Sequence, residues 1–183
     1  MISFNNLGNL GRLANQMFQY ASLKGIARNR GYDFCIPPSE LFGQRDPLVK
    51  KDTLNIYDVF GVQKNNTIQT LANPVLQERT HEFDEELFRS CPDNVDLFGY
   101  YQSPKYFDHI KNEIKSDFSF SQEVETLCSE MFESIQDGKK VIALHIRRTD
   151  YTVNPNHPLQ PMKYYEEALK HFDYSDKILV FSD

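Results

Sequence analysis

Two uninterrupted apolar runs near the end of the chain, Val141-Ile142-Ala143-Leu144 and Ile178-Leu179-Val180-Phe181, constrain the fold more than any other feature. Each is typical of a buried strand in a parallel sheet. Between them lie a polar loop and a helical stripe, Met162, Tyr165, Ala168, Leu169 and Phe172, opened by Pro161. Strand, loop, helix, strand is a βαβ unit. Parallel strands joined this way need both faces covered by helices, and the sheet is expected to continue.

The loop after the first run is His145-Ile146-Arg147-Arg148-Thr149-Asp150-Tyr151. In open α/β sheets ligands bind outside the carboxyl ends of the strands. Two adjacent guanidinium groups there point to an anionic ligand, because each offers a planar fork of donors matched to phosphate oxygens. A bare Arg-Arg pair is more often an exposed surface dipeptide. The strand end, the flanking His145 and Asp150, and a second unit of the same kind upstream favour a site.

That upstream unit starts with a short strand at Met1–Phe4 and a glycine-containing loop, Asn5-Asn6-Leu7-Gly8-Asn9-Leu10-Gly11-Arg12. A helix follows, with Leu13, Met17 and Ala21 on a stripe beside Ala14 and Phe18, ending near Gly31. Tyr32–Ile36 then reads as a strand closed by Pro37-Pro38. The loop has neither dinucleotide-fingerprint nor Walker spacing, so its glycines serve a tight turn as readily as a ligand.

The middle of the chain is the least readable. Pro47, Pro74 and Pro92 punctuate weakly periodic sequence, and the acidic group Glu82, Asp84, Glu85, Glu86 reads as a solvated helical face. A strand is expected at Val95–Tyr101 and a helix from Ser103-Pro104 carrying Tyr106, Phe107, Ile110 and Ile114. In the next helix, Val124, Leu127, Cys128, Met131, Phe132 and Ile135 fall on one stripe and are expected to be core. The turn-like Asp137-Gly138 precedes the strand that leads to the arginines.

Composition excludes several classes. The chain has 183 residues with a formal net charge of −6, against a nucleic-acid binder. Three widely spaced cysteines, Cys35, Cys91 and Cys128, read as reduced thiols, neither a disulfide framework nor a zinc site. Asn65-Asn66-Thr67 matches a glycosylation sequon without secretory context. No apolar stretch reaches membrane-spanning length. The chain is read as soluble and cytoplasmic. Because it stops at Ser182-Asp183, directly after a strand, it is expected to be a C-terminally truncated piece of a longer polypeptide.

Three stretches carry a resemblance to a known family. Gly11-Arg12-Leu13-Ala14-Asn15-Gln16-Met17-Phe18-Gln19-Tyr20-Ala21 resembles the N-terminal motif of the α-1,2-fucosyltransferases. His145-Ile146-Arg147-Arg148-Thr149-Asp150 is similar to their arginine motif, and Phe181-Ser182-Asp183 to the opening of a downstream element. Gly99-Tyr100-Tyr101-Gln102-Ser103, with Tyr106-Phe107, also resembles the segment before the arginine motif. One departure is Ala14, where the family has glycine before Asn-Gln. At positive φ an alanine would be strained there.

The resemblance implies an α/β protein with a GT-B-like arrangement of two Rossmann-like domains, the second incomplete. Residues 1–138 would form an acceptor-side domain and 139–183 the first part of the nucleotide-sugar-binding domain. The implied reaction is inverting transfer of L-fucose from GDP-fucose to a galactose-type hydroxyl in α-1,2 linkage. Its partners would be GDP-fucose and a glycan acceptor, with peripheral membrane association through a lipid-linked acceptor as a further expectation. Arg147, Asp150 and His145 are the catalytic candidates. Arg147, Arg148, His145, Asn15, Gln16, Gly11, Ser182 and Asp183 are the donor-binding candidates. No cofactor and no metal are expected: the sequence has no Asp-x-Asp pair, and the arginines can supply fixed positive charge instead. As a truncated piece the chain would transfer no fucose. The rival readings are a nucleoside-triphosphate hydrolase or kinase and a non-catalytic GDP- or carbohydrate-binding fragment.

Overall fold

A computed structural model describes residues 1–42, 54–62, 71–153, 155, 157–173 and 176–182. Pro47, the sequon at Asn65–Thr67, Asn154, Asn156 and the candidate Asp183 lie outside the described residues. The chain divides into two compact units, Met1–Ser121 and Gln122–Asp183.

In the first unit four short strands form one sheet: β1 (Ile2–Ser3), β2 (Phe34–Cys35), β3 (Val75–Gln77) and β4 (Asp96–Phe98). Their order is β2-β1-β4-β3 and every pairing is parallel. Ser3 stands in register with both Cys35 and Asp96, so β1 is the central rung between its neighbours. The helices of this unit are α1 (Leu13–Arg30), α2 (Ile56–Val59), α3 (Glu85–Ser90) and α4 (Lys111–Asp117). Leu13–Arg30 has no run of β-branched residues to strain a helix. It stops where Gly31 turns to φ 68 and its N–H bonds back to Ala27 and Arg28 carbonyls.

The expected stripe on α1 is too narrow. Ala21 is buried, Leu13, Met17 and Phe18 are half-buried, and Ala14 is exposed. From Gln19 to Ala27 every residue is buried, polar ones included. A helix buried all round carries polar groups inward, and burying them is costly unless they are hydrogen-bonded. Ser22 donates to the Tyr101 carbonyl at 3.0 Å. Lys24 donates to Asp117 at 2.6 Å, and Tyr20 donates to the same carboxylate at 3.0 Å. Burial, reinforced by the Asp117 charge, pushes the Tyr20 phenol far above its ordinary value.

Ile2, Phe4, Leu7, Leu23, Ile26, Leu97, Tyr101 and Tyr106 are fully buried and form the centre of the core. Burying each side chain of this size stabilises by about 1.5–3 kcal/mol. The aromatic members meet edge to face, Phe4 with Tyr101 at 5.8 Å and Tyr101 with Tyr106 at 5.6 Å. The three cysteines are free, and burial pushes the Cys35 and Cys91 thiols up to about 11. Such thiols stay protonated and unreactive at neutral pH.

Two stretches differ from the sequence reading. The helix expected from Ser103-Pro104 is instead two single 3-10 turns, Pro104–Tyr106 and Asp108–Ile110, before α4 begins at Lys111. Tyr106 explains the break: it is drawn into the core, and its hydroxyl accepts the Asp84 N–H at 2.8 Å. The acidic group at 82–86 is only partly a solvated face. Asp84 is buried, caps α3 by accepting the Leu87 N–H at 2.9 Å, and takes a two-pronged bond from Arg79.

The second unit contains α5 (Gln122–Gln136), β5 (Val141–Ile146), α6 (Met162–Leu169) and β6 (Lys177–Ser182). β5 and β6 pair in parallel over their whole length, from Val141 opposite Lys177 to Ile146 opposite Ser182. The α5 stripe expected to be core is not buried. Leu127 and Met131 are each 56% exposed, and no α5 residue is fully covered. On α6 only Tyr165 is buried, while Met162, and Phe172 beyond the helix end, remain exposed. A two-stranded sheet is narrower than the apolar faces of two helices and cannot cover them. Among the described residues, no helix is long and apolar enough to cross a membrane.

α1 depends on a close approach at Gly25, where an added Cβ would lie 2.1 Å from the Tyr106 carbonyl oxygen. Alanine improves helix propensity by about 1 kcal/mol, but overpacking against backbone costs about 1–3 kcal/mol or more. Gly25→Ala is therefore expected to lower the unfolding free energy by about 2 kcal/mol despite the better helix former. Urea denaturation of the two proteins checks this, and equal stability would mean that the 104–107 segment moves freely aside.

Candidate functional site

The candidate site in the second unit is built by the β5–β6 ladder. Because the strands run parallel and Ile146 faces Ser182, the residues after Ile146 leave the sheet at the end where β6 also finishes. His145, Arg147, Arg148 and Ser182 thus gather at one sheet end. His145 is exposed and stands beside Phe181, also exposed.

The loop then closes on itself. The Thr152 N–H bonds to the Arg148 carbonyl at 2.9 Å, and the Thr152 hydroxyl donates to the Thr149 carbonyl at 2.7 Å. Asp150 opens the 3-10 turn Asp150–Thr152 that completes this closure. One turn of chain brings residues four apart onto the same side. Arg147 and Tyr151 are such a pair, and the Arg147 guanidinium carbon lies 4.6 Å from the Tyr151 ring centroid. Tyr151 in turn stacks on His157, with centroids 4.8 Å apart and planes 15° from parallel. Arg147 is half-buried and Arg148 exposed. Chemically this end of the sheet can present planar, permanently charged donors to an anion.

Gly11, Asn15 and Gln16 lie in the first unit, at the loop between β1 and α1. Gly11 has φ 80, and a Cβ there would come 2.5 Å from the Asn15 side chain. The Asn15 carboxamide oxygen accepts the Arg12 N–H at 3.2 Å, closing the start of the helix. Gln16 is only 1% exposed, and its carboxamide oxygen accepts the Ile56 N–H at 3.2 Å, which ties α2 to α1. Ala14 is a helical residue outside the positive-φ positions, so its methyl group carries no backbone strain.

Two first-unit residues not singled out from sequence organise the loops that follow β1 and β4. Gln19 is fully buried, and its amide nitrogen donates to the Leu10 carbonyl at 3.1 Å and the Gly99 carbonyl at 3.0 Å. It ties the loop after β1 to the loop after β4. Glu78 holds the second loop from the other side, its carboxylate accepting the N–H groups of Tyr100 at 2.7 Å and Tyr101 at 2.9 Å. Tyr101 takes φ 51, a conformation that a bulky residue keeps only when its surroundings hold it. For Gln19 the available signal was its place in the N-terminal motif; Glu78 left none.

The architecture is a mixed α/β chain with parallel sheets, of the kind seen in Rossmann-like glycosyltransferases. Comparison with known families makes the assignment specific: the family described as Glycosyl transferase family 11 matches residues 2–183, and the chain belongs to it. Among curated relatives, the O-antigen biosynthesis glycosyltransferase WbnK of Escherichia coli is 32% identical over 48% of this chain and 32% of its own length. Galactoside alpha-(1,2)-fucosyltransferase 2 of Sus scrofa is 28% identical over 94% of this chain and 51% of its own. Galactoside 2-alpha-L-fucosyltransferase SEC1 of Bos taurus is 26% identical over 77% of this chain and 37% of its own. The chain thus spans about a third to a half of the length of these relatives. No solved structure gives a significant match.

Removing the Glu78 carboxylate leaves two loop N–H groups without their charged acceptor. Hydrogen bonds to charged groups contribute about 1.5–3 kcal/mol. Glu78→Ala is expected to destabilise the protein by about 2 kcal/mol and to speed amide exchange at Tyr100 and Tyr101. Unchanged exchange at those two amides would show that the loop is held by other contacts.

Proposed function

We propose that the protein is an inverting glycosyltransferase that moves L-fucose from GDP-fucose to the 2-hydroxyl of a galactose-type acceptor. The observation that carries this reading is the Arg147-Arg148 pair on the closed loop at the carboxyl end of β5, beside the end of β6. Family membership and the names of the relatives support the sugar and the linkage. The same reading takes the two units as parts of two Rossmann-like domains of a GT-B-type protein, the second carrying the donor. It also keeps the protein cytoplasmic, meeting membrane only peripherally through a lipid-linked acceptor.

In this reaction the bond between fucose C1 and the β-phosphate oxygen breaks, and its electron pair passes to the phosphate. The acceptor oxygen attacks C1 from the opposite face and loses its proton to a base. Negative charge therefore grows on the β-phosphate in the transition state, and Arg147 and Arg148 are the fixed positive groups assigned to it. Because guanidinium groups stay charged and already point from a closed loop, they need little reorganisation at the moment of bond breaking. Ser182 contributes a hydroxyl at the same sheet end, and Gly11, Asn15 and Gln16 shape the loop of the first unit. The acceptor proton is assigned to His145 or Asp150, the two proton acceptors of the arginine loop.

In the full-length gene product, Arg147→Ala is expected to weaken GDP binding and to lower the transfer rate by about 10²–10³-fold. Arg147→Lys should recover little, because a single ammonium cannot reproduce the planar fork. Isothermal titration with GDP and a transfer assay measure both effects, and unchanged GDP affinity in Arg147→Ala would remove the diphosphate from this loop. A separate expectation concerns metals. Arginines stand where a cation would otherwise act, so transfer should persist in excess EDTA. Loss of activity with chelator and its return with Mn²⁺ or Mg²⁺ would contradict that role for the arginines.

A further inference from the structure

The arginine loop contains a stack that the proposed chemistry does not use. Tyr151 lies one turn after Arg147, and its ring supports the Arg147 guanidinium at 4.6 Å. His157, six residues further along, stacks nearly parallel on the same tyrosine, with centroids 4.8 Å apart. Arg147 is half-buried and its neighbour Arg148 is exposed.

A guanidinium on a long aliphatic stem samples many rotamers, and an anion that binds it must first select one. Contact with an aromatic face supplies attraction through the ring quadrupole and confines the guanidinium plane. Confinement before binding removes part of the ordering cost that would otherwise weaken affinity. The closed backbone turn, with Thr152 bonded to the Arg148 carbonyl at 2.9 Å, holds the base of both side chains at fixed separation. His157 braces the ring that the guanidinium rests on.

We propose that Tyr151 and His157 are positioning residues that fix the Arg147 guanidinium for the donor diphosphate. The proposal rests on the reading of Arg147 as a diphosphate ligand. The tyrosine hydroxyl has no part in it: the ring face is the working surface. His157 acts on Arg147 only through Tyr151.

The test uses the full-length protein and GDP as probe. Tyr151→Leu removes the ring and is expected to weaken GDP binding roughly threefold to tenfold. Tyr151→Phe keeps the face and should bind within about twofold of the original protein. His157→Ala should produce a smaller loss in the same direction. The decisive comparison is a double-mutant cycle: in an Arg147→Ala background, Tyr151→Leu should cause no further loss, because its effect passes through the missing guanidinium. Full additivity of the two substitutions would show a general structural role and overturn the proposal. If Arg147→Ala weakens GDP but Tyr151→Leu does not, the positioning role fails while the diphosphate reading stands. If Arg147→Ala itself leaves GDP affinity unchanged, both fail together.

Discussion

Parallel strand pairing is the constraint on which the rest of this structure depends. When neighbouring strands run the same way, their carboxyl ends coincide, and the loops that follow them emerge side by side. In the second unit this brings Arg147 and Ser182 together, although thirty-odd residues of loop and helix separate them in sequence. In the first unit the loops after β1 and β4 emerge together for the same reason, through the register of Ser3 with Asp96. The strands themselves are only two or three residues long there, so the loops need additional bonds to stay in place.

Those bonds come from two polar side chains, Gln19 buried and Glu78 half-buried. Gln19 links the Leu10 and Gly99 carbonyls from inside the core, and Glu78 gathers the Tyr100 and Tyr101 N–H groups. Each satisfies backbone groups that would cost stability if buried alone. The second unit holds its loop differently, by one closed turn of backbone and an aromatic stack. Both devices fix loops that follow strand ends, the kind of preorganisation that the proposed stabilisation of transition-state charge requires.

Some of this was legible in the residues. The apolar runs at Val141 and Ile178 are long enough to be strands in any reading, and Gly31 marked the end of α1 correctly. The Val75–Gln77 strand left no sequence signal, because it is short, mostly exposed and held by pairing with β4. The Tyr106 segment looked helical until core packing pulled the ring inward and broke the helix into turns. The α5 stripe announced a helix correctly, yet burial depends on what the helix faces, and periodicity alone carries no information about that. Among the candidate residues, sequence placed the arginine loop at a strand end. The Tyr151 and His157 stack appears only once the turn is built.

The central claim is that the diphosphate of the donor is held at the carboxyl end of β5. Amide hydrogen exchange of the full-length protein, with and without GDP, tests it most directly. The account predicts that GDP slows exchange within residues 147–152 and leaves the opposite end of the same ladder, at Lys139–Val141 and Asp176–Lys177, unchanged. Protection at that opposite end, with none in the 147–152 loop, would contradict it.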